Sequence, residues 1–215
     1  MSDSLSARRP IAARNTRWAA ATARWLAGTG IRPNHISLMS VGFGAIAGAA
    51  LAATPWVSGP VRALLLLGAA GGIQLRLLCN LFDGMVAVEG GFRTPAGEIY
   101  NELPDRFADL AILVGAGYAA GSSPVLGWAA AVAAITTAYV RALGAAAGAG
   151  QQFVGPMAKQ QRMALMTGAC GVQAALVFLP WRLELVRVAL GIIVAGCVVT
   201  MVRRCTRIVS VLEKS

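Results

Sequence analysis

Apolar residues run along this chain in long blocks separated by short polar breaks. Blocks at 36–54, 61–82, 106–121, 124–147, 163–180 and 184–202 each approach the ~20 residues that an α-helix needs to cross a bilayer, the third being the shortest. Turn-forming residues mark the breaks, at Thr54-Pro55, Gly90-Gly91, Gly121-Ser122-Ser123-Pro124, Gly155-Pro156 and Pro180-Trp181. The pattern predicts an all-α integral membrane protein with six transmembrane helices. Upstream, Arg14, Arg17 and Arg24 recur at helical spacing beside Trp18 and Trp25, which predicts an interfacial amphipathic helix before the first span. The expected organisation is a basic N-terminal segment over 1–32, a six-helix membrane domain over 33–208 and a cytoplasmic tail over 209–215.

Composition narrows the class. Of 215 residues, 57% are hydrophobic and 13% charged, which excludes a disordered chain. Lys and Arg number 19 against 9 Asp and Glu, an excess that in a soluble protein points to nucleic acid. Here the charges punctuate apolar blocks, so they read as membrane-flanking and no nucleic-acid partner is expected. Six spans put both termini on one side. That side carries Arg8, Arg9, Arg14, Arg17, Arg24, Arg32, Arg93, Arg106, Arg141, Lys159, Arg162, Arg203, Arg204, Arg207 and Lys214, against Arg62, Arg182 and Arg187 opposite. Both termini and the two longer connections are therefore expected in the cytoplasm, with the protein in the cell membrane. No apolar core directly follows the first arginines, so the start of the chain does not read as a cleavable signal peptide. Cys79, Cys170, Cys197 and Cys205 form no close pair of the kind a zinc or redox site uses. Abundant Gly and Ala suit close helix packing in lipid.

The acids carry the functional signal. Asp83, Glu89, Glu98, Glu102, Asp105 and Asp109, six of the nine, fall between the second and third spans. Carboxylates at membrane depth are costly and normally face a bundle interior or a water-filled cavity. Asn80, Asp83 and Ala87 share one helical face, and Asn101, Asp105 and Asp109 share another. Two such faces turned together give an oxygen-rich site of the kind that holds Mg²⁺, Mn²⁺ or Ca²⁺, and a bound divalent ion suits transfer from a nucleotide diphosphate. Gly84, Ala87 and Gly97 leave room for a substrate beside the backbones. Asp105, Arg106 and Asp109 also read as an ordinary solvated helix start.

From Asn80 to Asp105 the chain resembles the CDP-alcohol phosphotransferase motif, D-x-x-D-G-x-x-A-R, eight residues, then G-x-x-x-D-x-x-x-D. Here it reads N-L-F-D-G-M-V-A-V, eight residues, then G-E-I-Y-N-E-L-P-D, with Asp83, Gly84, Ala87, Gly97 and Asp105 in register. Pro33, Asn34 and Ser37 resemble the family's P-N-x-x-T lead-in to the first span. The resemblance covers about residues 30–205 and implies a phosphatidyl transfer from CDP-diacylglycerol (CDP-DAG) to an alcohol acceptor, with release of CMP, by a homodimeric membrane enzyme of phospholipid synthesis. It implies a site for one or two Mg²⁺ or Mn²⁺ ions at Asn80, Asp83, Asn101 and Asp105, with Asp83 a ligand and Asp105 the general base or a ligand. Pro33, Asn34, Ser37, Gly84, Ala87 and Gly97 would receive the nucleotide lipid. Asn80, Asn101 and Val88 stand where the motif has Asp, Asp and Arg. Losing two carboxylates favours a single ion, with Glu98, Glu102 or Asp109 supplying charge and Arg93 standing in for the arginine.

Lys159 and Arg162 open the fifth span one helical turn apart, where helix N–H groups favour anions. By the same resemblance they bind phosphates of the donor or of a phosphorylated acceptor. His35, the lone histidine, reads as part of the first helix start. Three other readings stay open: a CDP-choline or CDP-ethanolamine phosphotransferase, a catalytically impaired lipid- or nucleotide-binding protein, and an ion-coupled transporter using Asp83 and Asp105. Transporter sites favour broken helices at the bilayer midplane, often in inverted repeats, and neither is visible here.

Overall fold

The computed structural model describes residues 16–92, 97–180 and 183–214. It holds α1 (Arg17–Gly28), α2 (Pro33–Ala53), α3 (Gly59–Glu89), α4 (Gly97–Gly117), α5 (Pro124–Ala146), α6 (Lys159–Leu176) and α7 (Leu185–Leu212), with a 3-10 turn at Thr54–Trp56. The helix starts follow local chemistry. Pro sits in the first turn of α2, α3 and α5, where its missing N–H costs nothing, and the Ser123 hydroxyl accepts from the Leu126 N–H at 3.4 Å to cap α5.

Four segments, Pro33–Trp56, Gly59–Glu89, Pro124–Ala146 and Leu185–Leu212, are long and apolar enough to cross a membrane. The other two expected spans are helical but more polar. Glu98, Glu102, Asp105, Arg106 and Asp109 lie in α4, and α6 opens on Lys159, Gln160, Gln161 and Arg162. The helices also outrun the apolar blocks. α3 continues past 82 to Glu89, α4 begins at Gly97 rather than near 106, and α7 passes the expected limit at 208 to reach Leu212. Hydropathy marks apolar thickness, whereas helical hydrogen bonding continues into polar residues beyond it. Within α4 even Pro104 is accommodated; the carbonyl it frees belongs to Tyr100, an exposed residue.

The six long helices close a ring. α2 packs on α3 and α4, α3 on α6, α6 on α7, α7 on α5, and α5 back on α4, while α4 also touches α3 and α7 across the middle. Leu51, Ile73, Ile112, Leu113, Met163, Met166, Leu190 and Ile193 fill the interior. The tightest approach joins α2 to α4. A Cβ placed on Gly115 would strike the Gly48 carbonyl, and one on Gly48 would strike that of Ala111, so only glycine permits this spacing. α1 buries Ala19 and Ala23 and lies on α3, with Trp18 edge-on to Phe82 at 6.0 Å. Leu38, Ile46, Leu64, Leu67, Val132 and Ile192 are exposed on the outside, as a lipid-facing surface requires. Cys79, Cys170 and Cys197 are buried free thiols, and Cys205 is exposed.

Candidate functional site

At the end of the ring where α3 finishes and α4 and α6 begin, charged side chains from all three helices meet. Arg76, Asn80 and Asp83 lie on successive turns of α3, Asp105 and Asp109 one turn apart on α4, and Lys159 and Arg162 on the first turn of α6. Arg76 sits about 10 Å deeper than Asp83 at the helical rise.

Two tiers of ion pairs result. In the deeper one, Asp109 is gripped from both sides, by Arg76 Nη2 at 2.7 Å and Arg162 Nη2 at 2.6 Å. In the shallower one, Asp105 Oδ1 accepts from the Asn80 amide at 2.6 Å and from Arg76 Nη2 at 3.3 Å, while Lys159 Nζ donates to Asp105 Oδ2. Arg76 and Arg162 are almost wholly buried, but the Lys159 side chain keeps 26% of its surface exposed. Nearer the mouth Glu102 pairs with Arg106 at 3.2 Å and Arg141 at 2.6 Å, and the Arg141 guanidinium lies over the Phe153 ring.

Asp83 differs from the other carboxylates. It is buried, and its oxygens accept from the Ser37 hydroxyl at 2.8 Å and from the Gly84 N–H at 2.5 Å. Among the described residues it makes no ion pair. A buried carboxylate held only by neutral donors is a candidate for chemistry, because the fold has not neutralised it.

The loop before α6 is fixed from α7. The Met157 N–H donates to Thr200 Oγ1 at 2.9 Å, and Arg204 donates to the carbonyls of Val154 and Thr137. Arg162 in turn donates to the Met157 carbonyl at 3.1 Å. Gly155, at φ +113°, faces Thr200 so closely that a side chain there would collide with it. This packing sets where Lys159 and Arg162 emerge.

The expected residues therefore separate. Ser37, Asn80, Asp83, Gly84, Asp105, Lys159 and Arg162 come together, and Pro33 contributes by accepting from Ser37 at 3.2 Å. Ala87 and Gly97 are half-buried at the ends of α3 and α4. Asn34 and Asn101 are exposed and stand outside the hydrogen-bonded cluster, and His35 is exposed at the start of α2. Arg93 lies outside the described residues, as does the Glu98 side chain. Arg76 and Arg141 belong to the cluster although the motif does not include them. For Arg76 a signal existed: it is an unmatched charge inside the apolar block 61–82.

The donor set does not fit the expected metal ions. Two of the four motif positions are neutral amides, one of these is exposed, and the Asn80 amide N–H already faces Asp105. Asp105 and Asp109 carry protein cations, and Glu102 is taken by two arginines, so neither Asp109 nor Glu102 restores free negative charge. Among the described residues no three His, Cys, Asp or Glu are grouped to hold a metal.

Fold and site together define a helical membrane protein whose polar centre lies at one end of a six-helix ring. The fold is that of the phosphatidylinositol phosphate synthase of Mycobacterium tuberculosis. With that enzyme's CDP-DAG-bound structure the chain shares a TM-score of 0.72 and 22% identity, over 90% of this chain and 94% of that one. With its structure in complex with manganese and citrate the values are 0.72 and 21%, covering 88% of each chain. The apo form gives 0.67 and 23%, over 87% and 94%. No family model matches the sequence, and no curated protein matches it.

Proposed function

We propose that the protein is a six-span membrane phosphatidyltransferase that moves the phosphatidyl group of CDP-DAG to an alcohol and releases CMP. The observation that carries this reading is Asp83, a buried carboxylate without an ion pair beside the Lys159–Asp105 pair, on a fold shared with a synthase whose structure holds CDP-DAG. The in-register motif from Asn80 to Asp105 supports it.

In this reaction Lys159, with Arg106 and Arg141 near the mouth, attracts the diphosphate. Asp105 fixes the Lys159 ammonium. Asp83, held in place by Ser37 and Gly84, takes the proton of the acceptor hydroxyl. That oxygen bonds to the phosphorus bearing diacylglycerol, the bond from this phosphorus to CMP breaks, and CMP leaves. The base is thus Asp83 rather than Asp105, whose carboxylate is occupied by three donors. Small residues Gly84, Ala87 and Gly97 leave space along the α3 and α4 ends. A homodimer in the cell membrane, with both termini cytoplasmic, completes the reading.

Lipid mass spectrometry tests it. Vesicles of CDP-DAG with the protein, incubated with a pool of alcohols in the presence and absence of Mg²⁺ and Mn²⁺, should yield a new phospholipid that Asp83→Asn abolishes. The same assay with CDP-choline or CDP-ethanolamine and diacylglycerol tests the alternative substrate pair. Asn80, Asn101 and Val88 favour one second reading, a lipid- or nucleotide-binding protein without turnover; CDP-DAG bound but never consumed would select it.

A further inference from the structure

In the proposed transferase reading Lys159 attracts the diphosphate, and the side chains around it bear on whether a divalent ion shares that work. Asp105 and Asp109 are matched by Arg76, Lys159 and Arg162, and Glu102 by Arg106 and Arg141. Counting Asp83, four carboxylates face five cations among the described residues. A divalent ion placed between Asp83 and Asp105 would have to displace Lys159 and turn the Asn80 amide. It would also add positive charge to two tiers in which Asp83, Asp105 and Asp109 are already equalled in number by Arg76, Lys159 and Arg162, at a large desolvation cost.

Lys159 is suited to the role itself. Of the cations paired with Asp105 and Asp109 it is the most exposed, at 26% against 20% for Arg106, which stands 3.8 Å from Asp105, while Arg76 and Arg162 are buried. An ammonium has three N–H donors; one is spent on Asp105 and the others remain for a phosphate. Behind it Arg76 is fully buried, with Nε and Nη1 lacking any hydrogen-bond partner, so a further fixed positive charge backs the site.

We infer that the Lys159 ammonium, anchored on Asp105 and backed by Arg76, replaces the divalent ion at these helix positions, so that the protein binds a nucleotide diphosphate without metal. The inference rests on the transferase reading only for the identity of the ligand.

The test is binding of labelled CDP-DAG to the purified protein in detergent, in excess EDTA and again with added Mg²⁺ or Mn²⁺. Binding in EDTA equal to that with metal, weakened about tenfold or more by Lys159→Gln, the scale of a lost charge-assisted hydrogen bond, supports the inference. Lys159→Arg keeps the charge and should retain binding, which separates loss of charge from loss of fold. Binding that appears only on adding metal overturns the inference and leaves the proposed function standing. Metal-free binding unchanged in Lys159→Gln overturns the role of Lys159. Absence of CDP-DAG binding under every condition overturns both the inference and the proposed function.

Discussion

Asp83 and Asp105 lie on the packed helices α3 and α4, and in the proposed reaction their different surroundings give them different work. Ser37 and Gly84 orient Asp83 without neutralising it, whereas Lys159, Arg76 and Asn80 consume the capacity of Asp105. Asp83→Asn preserves shape and should cut turnover by at least ~10²-fold, the usual worth of a general base, while leaving thermal unfolding in detergent nearly unchanged. Arg162→Leu should behave in the opposite sense. It leaves Asp109 with one buried partner instead of two and should cost about 3–5 kcal/mol of stability, read as a lowered unfolding midpoint. Motif spacing singled out Asp83 and Asp105 from the chain alone, and the basic start of the fifth span singled out Lys159. Both missed Arg76, because an arginine in the middle of the largely apolar block 61–82 shifts the hydropathy little and its partners lie 29 and 33 residues away on another helix.

The helices hold these residues at fixed depths through small-residue contacts. Gly48 of α2 and Gly115 of α4 meet backbone to backbone, so Gly48→Val should force α2 and α4 apart. The expected cost is about 1–3 kcal/mol, typical of overpacking, with a fall in unfolding midpoint. Because α2 carries Ser37 and α4 carries Asp105, turnover should fall as well. An unchanged midpoint would contradict the close approach. The existence and order of the elements were legible in the apolar blocks, but their ends were not. The extension of α3 to Glu89 and the start of α4 at Gly97 lie in polar sequence, where apolar periodicity fades and backbone hydrogen bonding does not.

Over the whole molecule, the basic residues concentrate at the end of the ring that holds the cluster, which places the site at the cytoplasmic surface if both termini lie there. Thiol labelling of intact cells, in a Cys205→Ser background, should modify Ser58→Cys, in the α2–α3 connection, from outside and Lys214→Cys only after permeabilisation; the reverse pattern would contradict the orientation. Native mass spectrometry should show two copies. The general architecture followed from hydropathy, whereas the matching of carboxylates by lysine and arginine emerged only when α3, α4 and α6 came together, since Lys159 and Asp105 are 54 residues apart. The measurement that bears most directly on function is CMP release from CDP-DAG vesicles by the purified protein with an alcohol pool, beside Asp83→Asn. Release by the parent protein that falls to background in Asp83→Asn is the predicted result. Release equal in the two proteins, or none from the parent while CDP-DAG remains bound, would contradict it.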